Sequence, residues 1–256
     1  MFSDNELINL LVVKVNETDI HKRFPFDRNG IELKDINRFS SLNLASNFFA
    51  NRSSVLAVYS KENNLIDPFI LAMLWGGIRK NNLYAILEYN PSVLIDKLEK
   101  LDVLVENKGI VFAVEEYIKN KTIHIKGVGL SFITKHFYFK NSSEMFIYDK
   151  WTKRFHAAYI KSTNPEKLQL YFLNSTTFNL KGIEDDLIIR RGYEGIAYQD
   201  FCIALKAIHS SINNLLSKEK KFKSVGHLES YLFGEGGRNK YDKDNPRVWL
   251  YDFIKQ

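Results

Sequence analysis

Hydrophobic residues recur at helical intervals along most of the first half of the chain. The segment DPFILAMLWGGIRKNNLYAILE (67–88) opens with Asp67, which suits a helix N-cap, and with Pro68, which suits the first helical position. Two further amphipathic patterns follow at once, in residues 91–107 and 108–120. We therefore predict a succession of helices from residue 67 to residue 120.

The second half continues this pattern with less regular stretches. The segment YEGIAYQDFCIALKAIHSSINNLLS (193–217) predicts the longest helix, and VGHLESYLF (225–233) predicts a shorter one. The segment SSVLAVYS (53–60) fits a strand as well as a helix, whereas LQLYFLNSTTFNL (168–180) favours a strand. The pattern predicts a mainly α fold that leaves room for a small β element.

Composition excludes several classes of protein. With 45% hydrophobic and 14% aromatic residues, the 256-residue chain can build a core, which excludes global disorder. One cysteine, Cys202, excludes a disulfide framework and a four-cysteine iron–sulfur site. The apolar runs are shorter than the ~20 residues that span a bilayer, and the first residues lack a secretory pattern. We expect a cytoplasmic protein that does not enter a membrane.

The charge balance favours a polyanionic partner. The chain carries 36 Lys and Arg against 30 Asp and Glu, which gives a net charge of +6 and a pI of 9.1. Many soluble proteins are equally basic, so the charge does not identify the partner. The six histidines show no paired ligand spacing, so we predict neither a metal nor a cofactor.

Two glycines, Gly127 and Gly129, occupy a short loop before a helical pattern. Glycine allows a positive φ, or a backbone pressed against a ligand, at least steric cost. Free N–H groups at the start of the next helix, with the positive end of its dipole, would suit a phosphate oxygen. Taken by itself, however, the triplet GVG favours an ordinary connection between two helices.

The residues around the loop change that interpretation. The order of segments resembles that of the helix-hairpin-helix DNA glycosylase superfamily: IKGVGLS comes first, then an apolar helix, then FIYDKWTKR. The hairpin of that superfamily reads leucine, proline, glycine, hydrophobic, glycine. In that family an aspartate follows the second hairpin helix and starts the next one. The interval of 22 positions from Gly127 to Asp149 is similar to that of the adenine-excising members, and Lys153 and Arg154 match their basic pair. Lys126 replaces the hairpin proline, and a cation there could add a phosphate contact.

Two other segments resemble the same superfamily. DPFILAMLWGGIRKNNL resembles its early helix, which in the 8-oxoguanine-excising members ends in an asparagine-rich turn inserted into the DNA gap. The segment IRRGYEGIAYQDFCIAL resembles a bacterial group with an 8-oxoguanine-glycosylase fold, which includes anti-phage glycosylases that remove glucosylated hydroxymethylcytosine from viral DNA. The resemblance implies a single glycosylase unit with a hairpin lobe at 67–143 and a second helical lobe from 1–66 plus 144–256.

The resemblance also assigns the DNA contacts. It implies that the DNA backbone and the vacated space in the duplex are contacted by Lys126, Gly127, Val128, Gly129, Lys80, Asn81, Asn82, Lys153 and Arg154. Extruding a base also requires a pocket. Trp75, His136 and Trp151 are candidates for its walls, although aromatic residues at helical spacing are more often part of a core.

The chemistry would depend on Asp149. Cleavage of a base–sugar bond builds positive charge on the deoxyribose, which a carboxylate beside C1′ stabilises. The same carboxylate can orient or deprotonate the attacking water. Asp149 also suits the N-cap of the following helix, and the two roles are compatible.

The nucleophile stays open. Lyase-active members place a lysine two residues after the second hairpin glycine, where this chain has Ser131. Adenine-excising members, which use water, have serine or tyrosine there. Lys135 lies one helical turn further on the same face, in an aromatic-rich helix similar to that of archaeal 8-oxoguanine glycosylases. A desolvated lysine could attack C1′, or Lys135 could contact phosphate or solvent.

Three hypotheses follow. The leading one is a DNA glycosylase that flips out and excises a bulky modified cytosine of phage DNA and leaves an abasic site. The second is an 8-oxoguanine glycosylase with lyase activity that uses Lys135. The third is a non-catalytic module that binds the DNA backbone. In each case we expect a monomer whose partner is double-stranded DNA.

Overall fold

The structure, a computed structural model, describes residues 4–17, 52–61, 65–76, 78–173 and 187–235. These residues are mainly helical, which confirms the predicted class. They contain no β-strand, and an isolated antiparallel bridge joins Phe172 to Ile189. The helices are α1 (Asp4–Glu17), α2 (Arg52–Lys61), α3 (Ile66–Trp75), α4 (Lys80–Leu87), α5 (Pro91–Lys119), α6 (Leu130–Lys140), α7 (Lys150–Thr163), α8 (Pro165–Tyr171), α9 (Glu194–Leu215) and α10 (Val225–Glu235).

Contacts divide the chain into two compact units. One unit, Arg23–Met145, contains α2 to α6 and is called the hairpin unit below. The other, Met1–Lys22 with Phe146–Gln256, contains α1 and α7 to α10 and is called the Asp149 unit. This division differs from the predicted one for α2, which was expected in the lobe outside residues 67–143. The reason is packing: Tyr59 of α2 stacks on Phe139 of α6, with ring centroids 5.5 Å apart.

The predicted helix over residues 67–88 is two helices. α3 ends at Trp75 and α4 begins at Lys80. The prediction that Asp67 is the N-cap is wrong, because the carbonyl of Leu65 already accepts a hydrogen bond from the N–H of Phe69 at 3.1 Å. Leu65 is therefore the N-cap, and Asp67 lies in the first turn.

The two patterns over 91–107 and 108–120 belong to one long helix, α5, with a kink. Its start is capped by the Asn90 side chain, which accepts a hydrogen bond from the N–H of Ser92 at 3.0 Å. The kink lies at Gly109, where φ is 82° and ψ is 168°. Glycine adopts this conformation readily, so α5 can change direction there.

The ambiguous segment at 53–60 is helical and forms most of α2. The strand predicted at 168–180 is wrong for residues 168–171, which continue α8, and residues 174–180 lie outside the described part of the chain. Pro165 suits the first turn of a helix. Helical spacing also places Leu168 and Tyr171 together on the buried face of α8.

The Asp149 unit has an aromatic core. Tyr148, which precedes α7, stacks on Phe201 of α9 with ring centroids 4.8 Å apart. No helix in the described ranges combines the length and the apolar content that a bilayer crossing requires.

Candidate nucleic-acid interface

The loop between α5 and α6 closes with a tight turn. The N–H of Val128 donates to the carbonyl of Ile125 at 3.0 Å, and Gly127 has a φ of +84°. Since Lys126 does not have a positive φ, this is a type II turn with glycine at its third position. Lys126 occupies the second position, where proline is common but not required. Lysine at this position is therefore compatible with the turn.

Side chains of α5 fasten this turn from inside. The Tyr117 hydroxyl donates to the carbonyl of Val128 at 2.8 Å and accepts from the N–H of Ile125 at 3.4 Å. Lys97, a residue that is 7% exposed, donates from its amine to the carbonyl of Thr122 at 2.5 Å, in the loop before the turn. The Val128 side chain is buried, and its N–H and carbonyl are both hydrogen-bonded within the hairpin, so this arrangement leaves Val128 no group for the predicted contact with DNA.

The start of α4 lies against the turn. A Cβ atom at Gly127 would be 3.2 Å from the Cα, Cβ and carbonyl oxygen of Asn82. The Tyr89 hydroxyl, just beyond α4, accepts a hydrogen bond from the N–H of Lys126 at 3.0 Å. The structure therefore brings together two segments that were predicted separately to contact DNA, and both belong to the hairpin unit.

Residues 80–82 form the first turn of α4 rather than an irregular turn. Asn81 is exposed and Asn82 is half-buried, while the side chain of Lys80 lies outside the described part of the structure. No side chain among the described residues caps this end of α4. The exposed Asn81 therefore lies in the turn of α4 that adjoins the hairpin.

Gly129 is the N-cap of α6 and differs from Gly127. Its φ of −84° is accessible to any residue, and no described atom lies within 4 Å of the position of its Cβ. No side chain among the described residues caps α6 at this end. The first N–H groups of α6 lack partners within the helix. An exposed Gly129 allows a ligand to approach them closely.

The two candidate nucleophiles, Ser131 and Lys135, lie together on α6. The Lys135 amine donates to the Ser131 carbonyl at 2.7 Å and lies 3.3 Å from the Ser131 hydroxyl oxygen. Lys135 is 4% exposed, and a Cβ atom at Gly76 would lie 2.5 Å from its Cδ and Cε. The glycine at 76 thus leaves room for the Lys135 side chain; Gly77 lies outside the described residues.

His136 is part of the core of the hairpin unit. Its Nε2 lies 3.0 Å from Oδ1 of Asp102, and its Nδ1 lies 3.1 Å from the Tyr59 hydroxyl. Burial opposes ionisation of Asp102, yet hydrogen bonds from His136 and Lys140 hold the pKa of that carboxyl below its ordinary value. With no exposed surface and both ring nitrogens engaged, His136 is enclosed and cannot contact a base in this arrangement.

Trp75, another candidate for the base pocket, is 6% exposed and meets Phe139 edge-on at 5.3 Å. The guanidinium of Arg52 lies over the Trp75 ring at 5.3 Å and over the Tyr138 ring at 4.7 Å. The side chain of Trp151 lies outside the described part of the chain. Trp75 is therefore packed between helices of the hairpin unit, with Arg52 over its face.

Asp149 caps α7. Its Oδ1 accepts a hydrogen bond from the N–H of Thr152 at 3.1 Å, and the Thr152 hydroxyl accepts one from the N–H of Asp149 at 3.0 Å. This reciprocal pair is a capping box. Asp149 is 8% exposed, and its carbonyl accepts the N–H of Lys153 at 2.9 Å. The box gives the carboxylate a defined orientation at the positive end of the α7 dipole.

The basic pair after Asp149 does not form a basic surface. Lys153 is half-buried, but Arg154 is 1% exposed and is among the largest fully buried side chains. The predicted contact of Arg154 with DNA is incompatible with this position, because a buried guanidinium cannot reach a phosphate. Helical spacing explains the burial, since Arg154 shares its face of α7 with buried Ala158.

A polar cluster in the Asp149 unit, buried at Tyr148 and His156 and half-buried at Lys167 and Asp200, escaped the sequence analysis. The Tyr148 hydroxyl lies 2.7 Å from Nδ1 of His156, and burial lowers the pKa of His156 to about 3. Nearby, the Tyr171 hydroxyl and the Lys167 amine donate to Asp200 at 2.6 and 2.7 Å. Only the four-residue spacing of Lys167 and Tyr171 signals this cluster in the sequence.

Within the described ranges, no three His, Cys, Asp or Glu side chains form a group that could hold a metal ion. No family model, no curated protein and no solved structure matches the chain.

Proposed function

We propose that the protein is a cytoplasmic DNA N-glycosylase that excises a modified base and leaves an abasic site. The favoured substrate is a bulky modified cytosine of phage DNA, such as glucosylated hydroxymethylcytosine. The observation that carries the proposal is the hairpin: a type II turn whose Gly127 contacts Asn82, followed by an exposed Gly129 and an α6 that has no side-chain cap from this N-cap residue.

The hairpin supplies the chemistry of a phosphate site. The first N–H groups of α6 and the positive end of its dipole attract an anion. Gly129 leaves its surroundings open to a phosphate oxygen, and the exposed Lys126 adds a positive charge two positions before Val128. Asn81 and Asn82 at the adjoining start of α4 would contact the vacated position of the duplex.

Asp149 would act on the sugar. As the bond between base and C1′ breaks, its electron pair leaves with the base, and the deoxyribose acquires positive charge that the carboxylate stabilises. A water molecule then adds to C1′ and gives up a proton, for which Asp149 is the general base. The hydrogen bond from Thr152 to Oδ1 orients the carboxylate for this role.

The test is base release from defined duplexes. Three duplexes would carry glucosylated hydroxymethylcytosine, 8-oxoguanine or adenine mismatched with guanine, and an unmodified duplex would be the control. Mass spectrometry detects the free base, and alkaline cleavage detects the abasic site. We expect release from the glucosylated duplex. Tight binding of every duplex without release from any of them would reject the enzyme.

A second candidate is an 8-oxoguanine glycosylase with lyase activity. It is favoured by the position of Lys135, whose amine is removed from water and lies 3.3 Å from the Ser131 hydroxyl oxygen. The neutral amine is the nucleophilic form of a lysine. Its attack on C1′ would displace the base and yield a Schiff base after ring opening.

The third candidate is a module that binds the DNA backbone without catalysis. It is supported by the capping box, because the hydrogen bonds of that box give Oδ1 of Asp149 a structural role that needs no catalysis. Base release separates this candidate from both enzymes, because the module would bind duplexes and release nothing.

A further inference from the structure

The loop between α9 and α10 carries a concentrated positive charge. Residues 218–223 contain four lysines and one glutamate, so their net charge is +3, half of the +6 of the whole chain. Lys218, Lys221 and Lys223 are exposed. Within the described part of the chain, none of these three amines forms an ion pair. The loop therefore presents positive charge that the described residues do not neutralise at contact distance.

Phe222 anchors this loop on the helices beside it. The residue is 2% exposed, and its ring meets the Tyr231 ring of α10 with centroids 5.5 Å apart. The N–H of Phe222 donates to Oδ1 of Asn213 at 2.9 Å, and its carbonyl accepts from Nδ2 of the same residue at 2.9 Å. The Asn213 amide on α9 thus satisfies both backbone groups of Phe222 and holds the loop in place.

The two lysines beside Phe222 point away from the core. Lys221 is extended, with a φ of −69° and a ψ of 139°. Successive side chains of an extended segment point to opposite sides, and residues two apart lie roughly 7 Å from each other. Since Phe222 faces inward, Lys221 and Lys223 lie together on the outer side of the loop, in agreement with their exposure.

Helix dipoles account for Lys218 but not for this pair. Lys218 follows the end of α9, where positive charge is favourable. Lys223 precedes Ser224, whose hydroxyl oxygen accepts a hydrogen bond from the N–H of His227 at 3.1 Å and so caps α10. Positive charge at this end of a helix is unfavourable, so Lys221 and Lys223 do not stabilise α10. An anion bound by the two amines would relieve the repulsion.

We propose that Lys221 and Lys223 bind the phosphate backbone of duplex DNA and so form a second contact surface, in addition to the hairpin. The choice of partner rests on the proposed function and deepens it. Lysine binds phosphate as a point charge, and a contact with the backbone carries no sequence information. The pair should therefore raise the affinity for every duplex, modified or not, and make that affinity more dependent on salt.

The test is the salt dependence of duplex binding by Lys221→Gln/Lys223→Gln. Fluorescence anisotropy with a labelled, unmodified duplex gives the affinity at several concentrations of sodium chloride. Loss of two phosphate contacts should reduce the slope of log affinity against log salt by about 2, and should lower the affinity at low salt by about tenfold. Lys221→Arg/Lys223→Arg, which keeps both charges, should bind as the wild type does.

The control is Lys100→Gln/Lys108→Gln, which makes the same change of net charge at two exposed positions of α5. It should keep the slope of the wild type. Equal slopes and affinities of Lys221→Gln/Lys223→Gln and this control would overturn the surface. Loss of binding to vesicles that contain phosphatidylserine, with duplex binding unchanged, would also overturn it, because the partner would then be a membrane surface.

The outcome also separates the surface from the glycosylase. A reduced slope in the glutamine variant, without base release from any duplex by the wild type, would keep the surface and reject the enzyme. Base release that depends on Asp149, with a wild-type slope in Lys221→Gln/Lys223→Gln, would keep the enzyme and reject the surface.

Discussion

Gly127 and Asn82 lie in direct contact, with the position of a Gly127 Cβ only 3.2 Å from three atoms of Asn82. The contact joins the hairpin turn to the first turn of α4. Both segments carry exposed polar groups at this junction, Lys126 on the hairpin and Asn81 on α4. One continuous surface of the hairpin unit therefore holds most of the residues predicted to contact DNA.

Replacing Gly127 with alanine should destabilise the hairpin unit. Alanine is strained at a φ of +84°, and its methyl group would press against Asn82. The expected loss in the free energy of unfolding is about 1–2 kcal/mol. Urea unfolding followed by circular dichroism measures it. Wild-type stability of Gly127→Ala would contradict the turn described above.

Gly129→Ala, in contrast to Gly127→Ala, should keep the stability of the protein and weaken its binding of DNA. Its φ of −84° and the open space at the Cβ position predict normal folding. A methyl group there would obstruct a phosphate that approaches the start of α6, so the affinity for duplex DNA should fall by about five- to tenfold. Fluorescence anisotropy measures this change. The control is Ser142→Ala, a small change at an exposed position of the same unit; equal DNA affinities of Gly129→Ala and this control would exclude the hairpin as a phosphate site.

Borohydride should not trap a covalent adduct between the wild type and a substrate duplex. The leading hypothesis uses water, and the Lys135 amine is held by the Ser131 carbonyl at 2.7 Å. The assay is gel electrophoresis of the protein after incubation with labelled duplex and borohydride. A trapped adduct that disappears in Lys135→Gln would instead establish amine chemistry and the lyase alternative.

Acid should destabilise the Asp149 unit through His156. Burial lowers the pKa of this imidazole from 6.5 to about 3, so below pH 6.5 the unfolded chain binds a proton that the folded chain does not bind. The contribution of the neutral His156 to the free energy of unfolding is therefore complete above pH 6.5 and declines as the pH falls towards 3. Between pH 7 and pH 5 the loss should be about 2 kcal/mol.

The comparison for this acid effect is His156→Gln, which cannot titrate. The variant is expected to be less stable at pH 7 because it loses ring packing, but its stability should fall by about 2 kcal/mol less on acidification to pH 5. Urea unfolding at the two pH values gives both differences. Parallel losses in the wild type and the variant would show that His156 is not the group responsible.

Local patterns predicted much of the fold. Helical spacing identified most of the helices, and the placement of Gly127 before a helix indicated a special backbone conformation, which the structure shows as a φ of +84°. The suitability of Asp149 as a helix N-cap was also visible in the sequence and is confirmed by its hydrogen bond with Thr152. These features depend on residues close together in the chain.

Long-range packing could not be predicted in the same way. Arg154 and His136 looked like surface or pocket residues, yet both are buried, because the helices packed around them decide their exposure. The close approach of the Lys135 side chain to Gly76 likewise joins two helices that are far apart in the chain. Residues 168–171 favoured a strand by composition, and burial of one face of α8 made them helical.

The most direct test of the account is base release by Asp149→Asn. Asparagine is an equally good N-cap, so α7 should keep its cap while the carboxylate is lost. On the duplex that the wild type processes, the rate of release should fall by about 10²-fold or more, with DNA affinity unchanged. The exposed Asp96→Asn, a matched change in the hairpin unit, should release base at the wild-type rate. Release by Asp149→Asn at the wild-type rate would contradict the assignment of the carboxylate and, with it, the proposed mechanism.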